Sequence, residues 1–204
     1  MKTTIKNNMA TRGFTLVEMI GVLAVIAILA GMLIPKIFEA IRNSRINATL
    51  EAYNTLKAAV LENYAKWGKF ATTAGTQYTG NAFDDILLKE GRIDARAADK
   101  IPLSTIGGTD NVYVSVTTGP GGNGGSGYDL DGVGGADNAN AAYTVELVIK
   151  SVAAKDAHDL SLRLDGPALS ATDETSADTK GRVEYDAPSN NNNKTDVYIY
   201  ITHQ

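Results

Sequence analysis

Arg12-Gly13-Phe14-Thr15-Leu16-Val17-Glu18, with the apolar run that follows it to Ile34, decides how this chain is built. Lys2, Lys6 and Arg12 form a basic leader ahead of it. Phe14 to Ile34 is 21 residues, and Glu18 is the only charge among them. About 20 apolar residues cross the hydrocarbon core of a bilayer, so the run has the length of one membrane span. A carboxylate inside such a span costs roughly 2.5–3.5 kcal/mol on insertion scales, and its retention calls for a partner or a function. A secretory signal peptide also starts basic, but its apolar core is shorter and ends in a small-residue cleavage site that is missing here. A plain signal anchor accounts for the length and the leader charges and leaves Glu18 without a role. Lys36, Arg42 and Arg45 balance the leader's three basic residues, so the positive-inside rule does not orient the span.

The junction resembles the class III signal of type IV pilins and of the pseudopilins of type II secretion systems. The resemblance covers Arg12 to Pro35. It implies a leader, residues 1–13, removed by a prepilin peptidase on the cytoplasmic side between Gly13 and Phe14, with the new N-terminal nitrogen of Phe14 then methylated. Glu18 stands where the family keeps its assembly glutamate, and Pro35 where it keeps a helix-bending proline. Residues 14–35 become a transmembrane and assembly helix in the bacterial inner membrane, with the C-terminal head in the periplasm. The expected product is a structural, non-enzymatic subunit of a filament in the cell envelope or on the surface. Its expected partners are copies of itself, other pseudopilins or pilins, the peptidase and methyltransferase, and an inner-membrane assembly platform. The missing disulfide and an acidic glycine-rich loop favour a pseudopilin over a surface pilin. A membrane-anchored module binding calcium or carbohydrate is the rival from a different class.

Composition narrows the rest. The 204-residue chain has no cysteine, so an exported head must be held by core packing, hydrogen bonds or metal. Residues 1–69 carry nine Lys/Arg against four Asp/Glu, a balance of +5, and residues 70–204 carry ten against nineteen, a balance of −9. An acidic head argues against nucleic-acid binding.

The pattern predicts an α+β fold. One helix runs from Phe14 to Trp67, first apolar all round, then amphipathic over residues 36–68. Ile37, Phe38, Ile41, Ala48, Ala52, Leu56, Val60, Tyr64 and Trp67 recur at helical spacing as one stripe. Gly68 marks its stop, and Gly31 to Pro35 predicts a bend. The stripe needs a cover, which a small antiparallel sheet in the head, residues 69–204, supplies. Alternation predicts four strands, at Asn111–Thr117, Ala142–Lys150, Arg182–Tyr185 and Asp196–Thr202. Asn81 is placed to cap a short helix ending near Gly91, and Val152–Leu164 reads as a helix returning between the second and third strands. An Asn190–Asn193 turn joins the last two. Tyr198 and Tyr200 alternate with Val197, Ile199 and Ile201, giving one wet and one buried face.

Between the first two strands lies the one low-complexity segment, Gly119–Asn140. Nine of the chain's 20 glycines fall between Gly119 and Gly135. A loop this long inside a compact domain is unusual without a function or a ligand. Asp129, Asp131 and Asp137 supply hard oxygen ligands suited to Ca2+. The match to an EF-hand loop is partial, with Val133 at a ligand position and Asn140 in place of the bidentate glutamate. The segment also resembles the calcium loop of the major pseudopilin in composition, but precedes the second strand. A flexible, solvated loop with a few acids is the simpler expectation. His158 and His203 read as surface residues, and no phosphate-binding glycine motif, HExxH or Gly-x-Ser-x-Gly is present.

Overall fold

The computed structural model describes residues 13–188 and 193–204. Its elements in chain order are α1 (Leu16–Trp67), α2 (Phe83–Lys89), α3 (Ala97–Lys100), β1 (Val112–Thr118), β2 (Tyr143–Ala153), α4 (Ala154–Leu164), β3 (Val183–Tyr185) and β4 (Lys194–His203). The chain forms two units, one ending at Ile41 and the other running from Arg42 to Gln204. The fold is α+β, as the sequence pattern requires: a long apolar N-terminal helix and a four-stranded antiparallel sheet with accompanying helices.

In the first unit every residue from 13 to 41 is exposed, apolar side chains included. Among the described residues α1 is the one helix long and apolar enough to cross a membrane. It starts at Leu16, two residues later than the sequence suggests, because Thr15 caps it. It continues through Pro35, so the proline removes one backbone donor without ending the helix. At the other end Gly68 takes φ +66°, a left-handed conformation suited to glycine, and closes the last turn with its N–H on the Tyr64 carbonyl at 2.7 Å.

The second unit is organised around the C-terminal part of α1. Its buried face is Ile46, Thr49, Ala52, Tyr53, Leu56, Ala59, Val60 and Asn63. The expected stripe is therefore right at Ala52, Leu56 and Val60, but Ile37, Phe38 and Ile41 are exposed and Tyr53 and Asn63 take central places. Asn63 is tolerated because its amide is satisfied twice by one residue. Its Oδ1 accepts the Ala71 N–H at 3.0 Å, and its Nδ2 donates to the Ala71 carbonyl at 3.1 Å. The Tyr53 hydroxyl donates to the Tyr200 carbonyl at 2.8 Å.

The strand order is β1-β2-β4-β3, all neighbours antiparallel. Val114, Val116, Leu147, Ile149, Val183, Tyr185, Val197 and Ile199 form one core with the α1 face, α2 and α4. β2 overruns its expected end. A bulge between Ile149 and Val152, with Ser151 at φ +56° and its N–H on Asp196 Oδ1 at 2.8 Å, carries pairing to Ala153, so α4 begins two residues later than predicted. Asn81 does not cap α2. Its Oδ1 accepts from the Ser115 hydroxyl at 2.9 Å, and Ala82 holds the cap position without a side-chain bond. The turn expected at 190–193 lies mostly outside the described residues; Asn193 itself has φ +48°.

Candidate functional site

Two regions carry chemistry, the start of α1 and the glycine-rich loop. At the first, Gly13, Phe14 and Thr15 precede the helix, and Thr15 and Glu18 form a reciprocal cap. The Glu18 N–H reaches Thr15 Oγ1 at 3.3 Å, while the Thr15 N–H and hydroxyl both donate to Glu18 Oε2, at 2.9 and 2.8 Å. The pattern Thr-x-x-Glu is a capping box, legible in the sequence at 15–18. Glu18 is thus engaged within its own chain through Oε2. Among the described residues Oε1 accepts no hydrogen bond and remains free for a second donor. Pro35 lies in the same helix, five turns further on.

The loop is not the solvated segment that its composition suggests. Its base is packed on the outer face of the sheet, where Glu146 of β2 lies opposite Tyr200 of β4 and Glu184 of β3 lies opposite Tyr198. The Gly122 N–H donates to Glu146 Oε2 at 2.8 Å, and the next N–H, that of Asn123, donates to Glu184 Oε2 at 2.9 Å. Tyr128 is fully buried, its hydroxyl donates to Glu146 Oε2 at 2.9 Å, and its ring lies 5.3 Å from that of Tyr200. Buried Asn138 ties the two ends of the loop together. Its Oδ1 accepts from the Tyr128 N–H at 2.8 Å, and its Nδ2 donates to the Pro120 carbonyl and to Thr144 Oγ1. Gly122, at φ +79°, has no room for a side chain, since a Cβ there would lie 2.6 Å from Glu184 Oε2.

Burial pushes Glu184 up to about 7, against the Asn123 N–H, and the neighbouring charges of Glu146, Asp178 and Asp129 push the same way. Burial also raises Glu146, although the Gly122 N–H and Tyr128 hydroxyl oppose it. No local pattern marked these two acids. They are ordinary outward positions of alternating strands, and the loop that covers them lies 24 and 61 residues away in sequence.

The tip of the loop is solvated, and here the structure brings Asp129, Asp131 and Asp137 together, with one carboxylate oxygen from each inside 4.8 Å of the others. Asp137 Oδ2 accepts from the Asp131 N–H at 3.1 Å, and Asp131 Oδ1 from the Val133 N–H at 2.8 Å. Asp129 Oδ1 is buried, with no hydrogen-bond partner among the described residues. The set is all oxygen and suits a hard cation, though a full Ca2+ shell needs three or more further ligands. His158 lies on α4, away from both regions, while His203, exposed at the end of β4, shares a hydrogen bond between its Nδ1 and the Tyr200 hydroxyl at the rim of the loop's seat.

Compared with known proteins, residues 8–34 match the prokaryotic N-terminal methylation motif, which is the class III signal found in type IV pilins and pseudopilins. The match contains Gly13, Phe14, Thr15 and Glu18 and stops one residue short of Pro35. No solved structure matches the chain.

Proposed function

From a chain that carries the class III signal of type IV pilins and pseudopilins, we propose a structural subunit of a type IV pilus-like filament, specifically a pseudopilin of a type II secretion system. One N-terminal apolar helix fits a single-pass inner-membrane anchor, and the motif supports a pilin-like or pseudopilin subunit processed by prepilin peptidase. The observation that carries the reading is that this motif, residues 8–34, runs from the leader into an exposed apolar helix, with Glu18 as the only acid in the run from Phe14 to Ile34. In the proposal the peptidase cuts between Gly13 and Phe14, the Phe14 nitrogen is methylated, and the head resides in the periplasm. The ammonium of Phe14 on a neighbouring copy then approaches Glu18 Oε1. That pairing offsets the cost of the carboxylate in lipid and sets the register between copies. Pro35 serves the helix's adjustment on assembly. The subunit does mechanical work, and we assign it no catalysis.

Mass spectrometry of the mature N-terminus tests the processing, with a chain beginning at methyl-Phe14 as the expected result. Gly13→Arg is expected to leave the leader attached, visible as a larger band on a gel. Glu18→Ala is expected to insert and be cut as before but to lose self-association in cross-linking. Unimpaired assembly of Glu18→Ala would remove the proposed pairing. Deleting the gene separates the two members of the group: loss of secreted protein from the medium supports the pseudopilin, and loss of surface filaments supports the pilin.

Asp129, Asp131 and Asp137 support a second role, a Ca2+ site at the loop tip, because the buried Asp129 Oδ1 lacks a partner. Millimolar Ca2+ is then expected to protect residues 129–137 from protease, and Asp129→Asn to abolish the protection.

A further inference from the structure

We propose that Glu146 and Glu184 form a proton-operated latch that holds the loop segment 119–127 on the outer face of the sheet when protonated and loosens it when both ionise. The proposal is independent of filament assembly, and its test is run with chelator present so that no cation sits on Asp129, whose charge also pushes Glu184 up.

The geometry is that of a clasp. Two acids on β2 and β3, separated by β4, accept the consecutive N–H groups of Gly122 and Asn123. Both acids are nearly inaccessible, at 4% and 3% exposure. The groups that face them are of one sign or neutral. From the loop come Tyr128 and Asp129, from the segment before β3 Asp178, and from β4 the phenols of Tyr198 and Tyr200, with His203 bonded to the Tyr200 hydroxyl at the exposed rim, beyond the phenol. Asp186, after β3, accepts from Asn123 Nδ2 at 2.7 Å. Among the described residues neither acid has an ion pair with Lys or Arg. Docking the loop therefore removes two carboxyls from water without a counter-charge, which favours their neutral forms.

The direction follows from linkage. Glu184 sits at about 7 when the loop is docked, against 4.5 when water reaches it. The docked state binds the extra proton, so docking is strongest below about pH 4.5, weakens as pH rises to about 7, and is weakest above that. A gap of 2.5 units in one group corresponds to a change in the docking equilibrium of about 300-fold. Protonation keeps the clasp's hydrogen bonds intact, because a carboxylic acid still accepts at its carbonyl oxygen.

The full-length protein in detergent micelles suits the test. The chain lacks cysteine, so Ser126→Cys gives one nitroxide label on the exposed part of the segment. Electron paramagnetic resonance is expected to show an ordered label at pH 5 and a mobile one at pH 8.5, with the change falling between about pH 4.5 and 7. Glu184→Gln in the labelled protein is expected to keep the label ordered across the whole range. Gly122→Ala, which wedges a methyl group against Glu184, is expected to give a mobile label even at pH 5. A line shape unchanged from pH 4.5 to 9, or a Glu184→Gln variant that titrates like the parent, would overturn the latch. So would circular dichroism showing that the whole head unfolds with the same midpoint.

Discussion

At the scale of single residues, the sites that matter most are those where a polar atom and its partner must be counted. Tyr185 is fully buried, and among the described residues its hydroxyl has no partner. Burial raises its pKa above the ordinary phenol value. An unsatisfied buried hydroxyl costs free energy, so removing it costs little or helps. Tyr185→Phe is predicted to raise stability by up to about 1 kcal/mol, read as a higher midpoint in urea; a loss above 1 kcal/mol would show that the hydroxyl has a partner. Asn63 makes the opposite case. Its amide closes both backbone groups of fully buried Ala71. Asn63→Ala leaves that N–H and carbonyl unpaired and is predicted to cost about 2–3 kcal/mol. Trp67, the single tryptophan and one turn away, reports the unfolding by fluorescence. The two substitutions remove polar groups of similar burial and shift stability in opposite directions, because only one of them strands its partners.

At the scale of elements, Gly122 decides whether the loop seats on the sheet. With φ +79° and a Cβ position 2.6 Å from Glu184 Oε2, Gly122→Ala incurs both backbone strain and a clash. The predicted cost is about 1–3 kcal/mol, concentrated in the segment 119–128 and measurable as faster hydrogen exchange of the Tyr128 amide. The strands around it were legible in advance, since Val112-Tyr113-Val114-Ser115-Val116 and Val197-Tyr198-Ile199-Tyr200-Ile201 alternate with period two, and each needs only its own residues to declare a face. The stop at Gly68 was equally local, and so was the membrane-length run before Pro35. The loop's seat was not, because its acceptors sit on strands far away in sequence and outward acids look alike whether covered or wet. The four residues of α3 carry no periodic signal. They are held from outside, by Asp84 Oδ2 accepting the Ala97 N–H at 3.1 Å. The face of α1 was only partly legible, since helical spacing alone does not separate side chains that meet the sheet from those that precede it. The capping box at Thr15 and Glu18 was readable as well: Thr-x-x-Glu places the acid on its own cap through Oε2 and leaves Oε1 for the pairing proposed above.

For the whole molecule, the burial of acids sets how stability responds to pH. Glu184, Glu146, Asp84 and Asp178 are all buried and all raised above the ordinary carboxylate range, burial being the largest cause in each. A carboxyl whose folded pKa lies above its unfolded one favours the folded state when protonated. Its contribution is fully present below the unfolded value and is lost as pH rises through the folded one. For Glu184 the window runs from 4.5 to about 7, and the span of 2.5 units corresponds to about 3 kcal/mol. Glu90 works the other way. Its burial opposes the charge, but the Arg92 and Trp67 hydrogen bonds outweigh it and hold its pKa below the ordinary value, so its contribution is lost on acidification below about 4.5. The two trends predict a head most stable near pH 5 and weaker at pH 8 by about 2–3 kcal/mol, the opposite of a protein governed by paired carboxylates. Urea titrations of the intact protein at pH 5, 6.5 and 8 check this, and Glu184→Gln is predicted to flatten most of the slope. A stability that rises steadily from pH 5 to 8 would mean that these acids are solvated in the folded protein, and that the loop does not cover them.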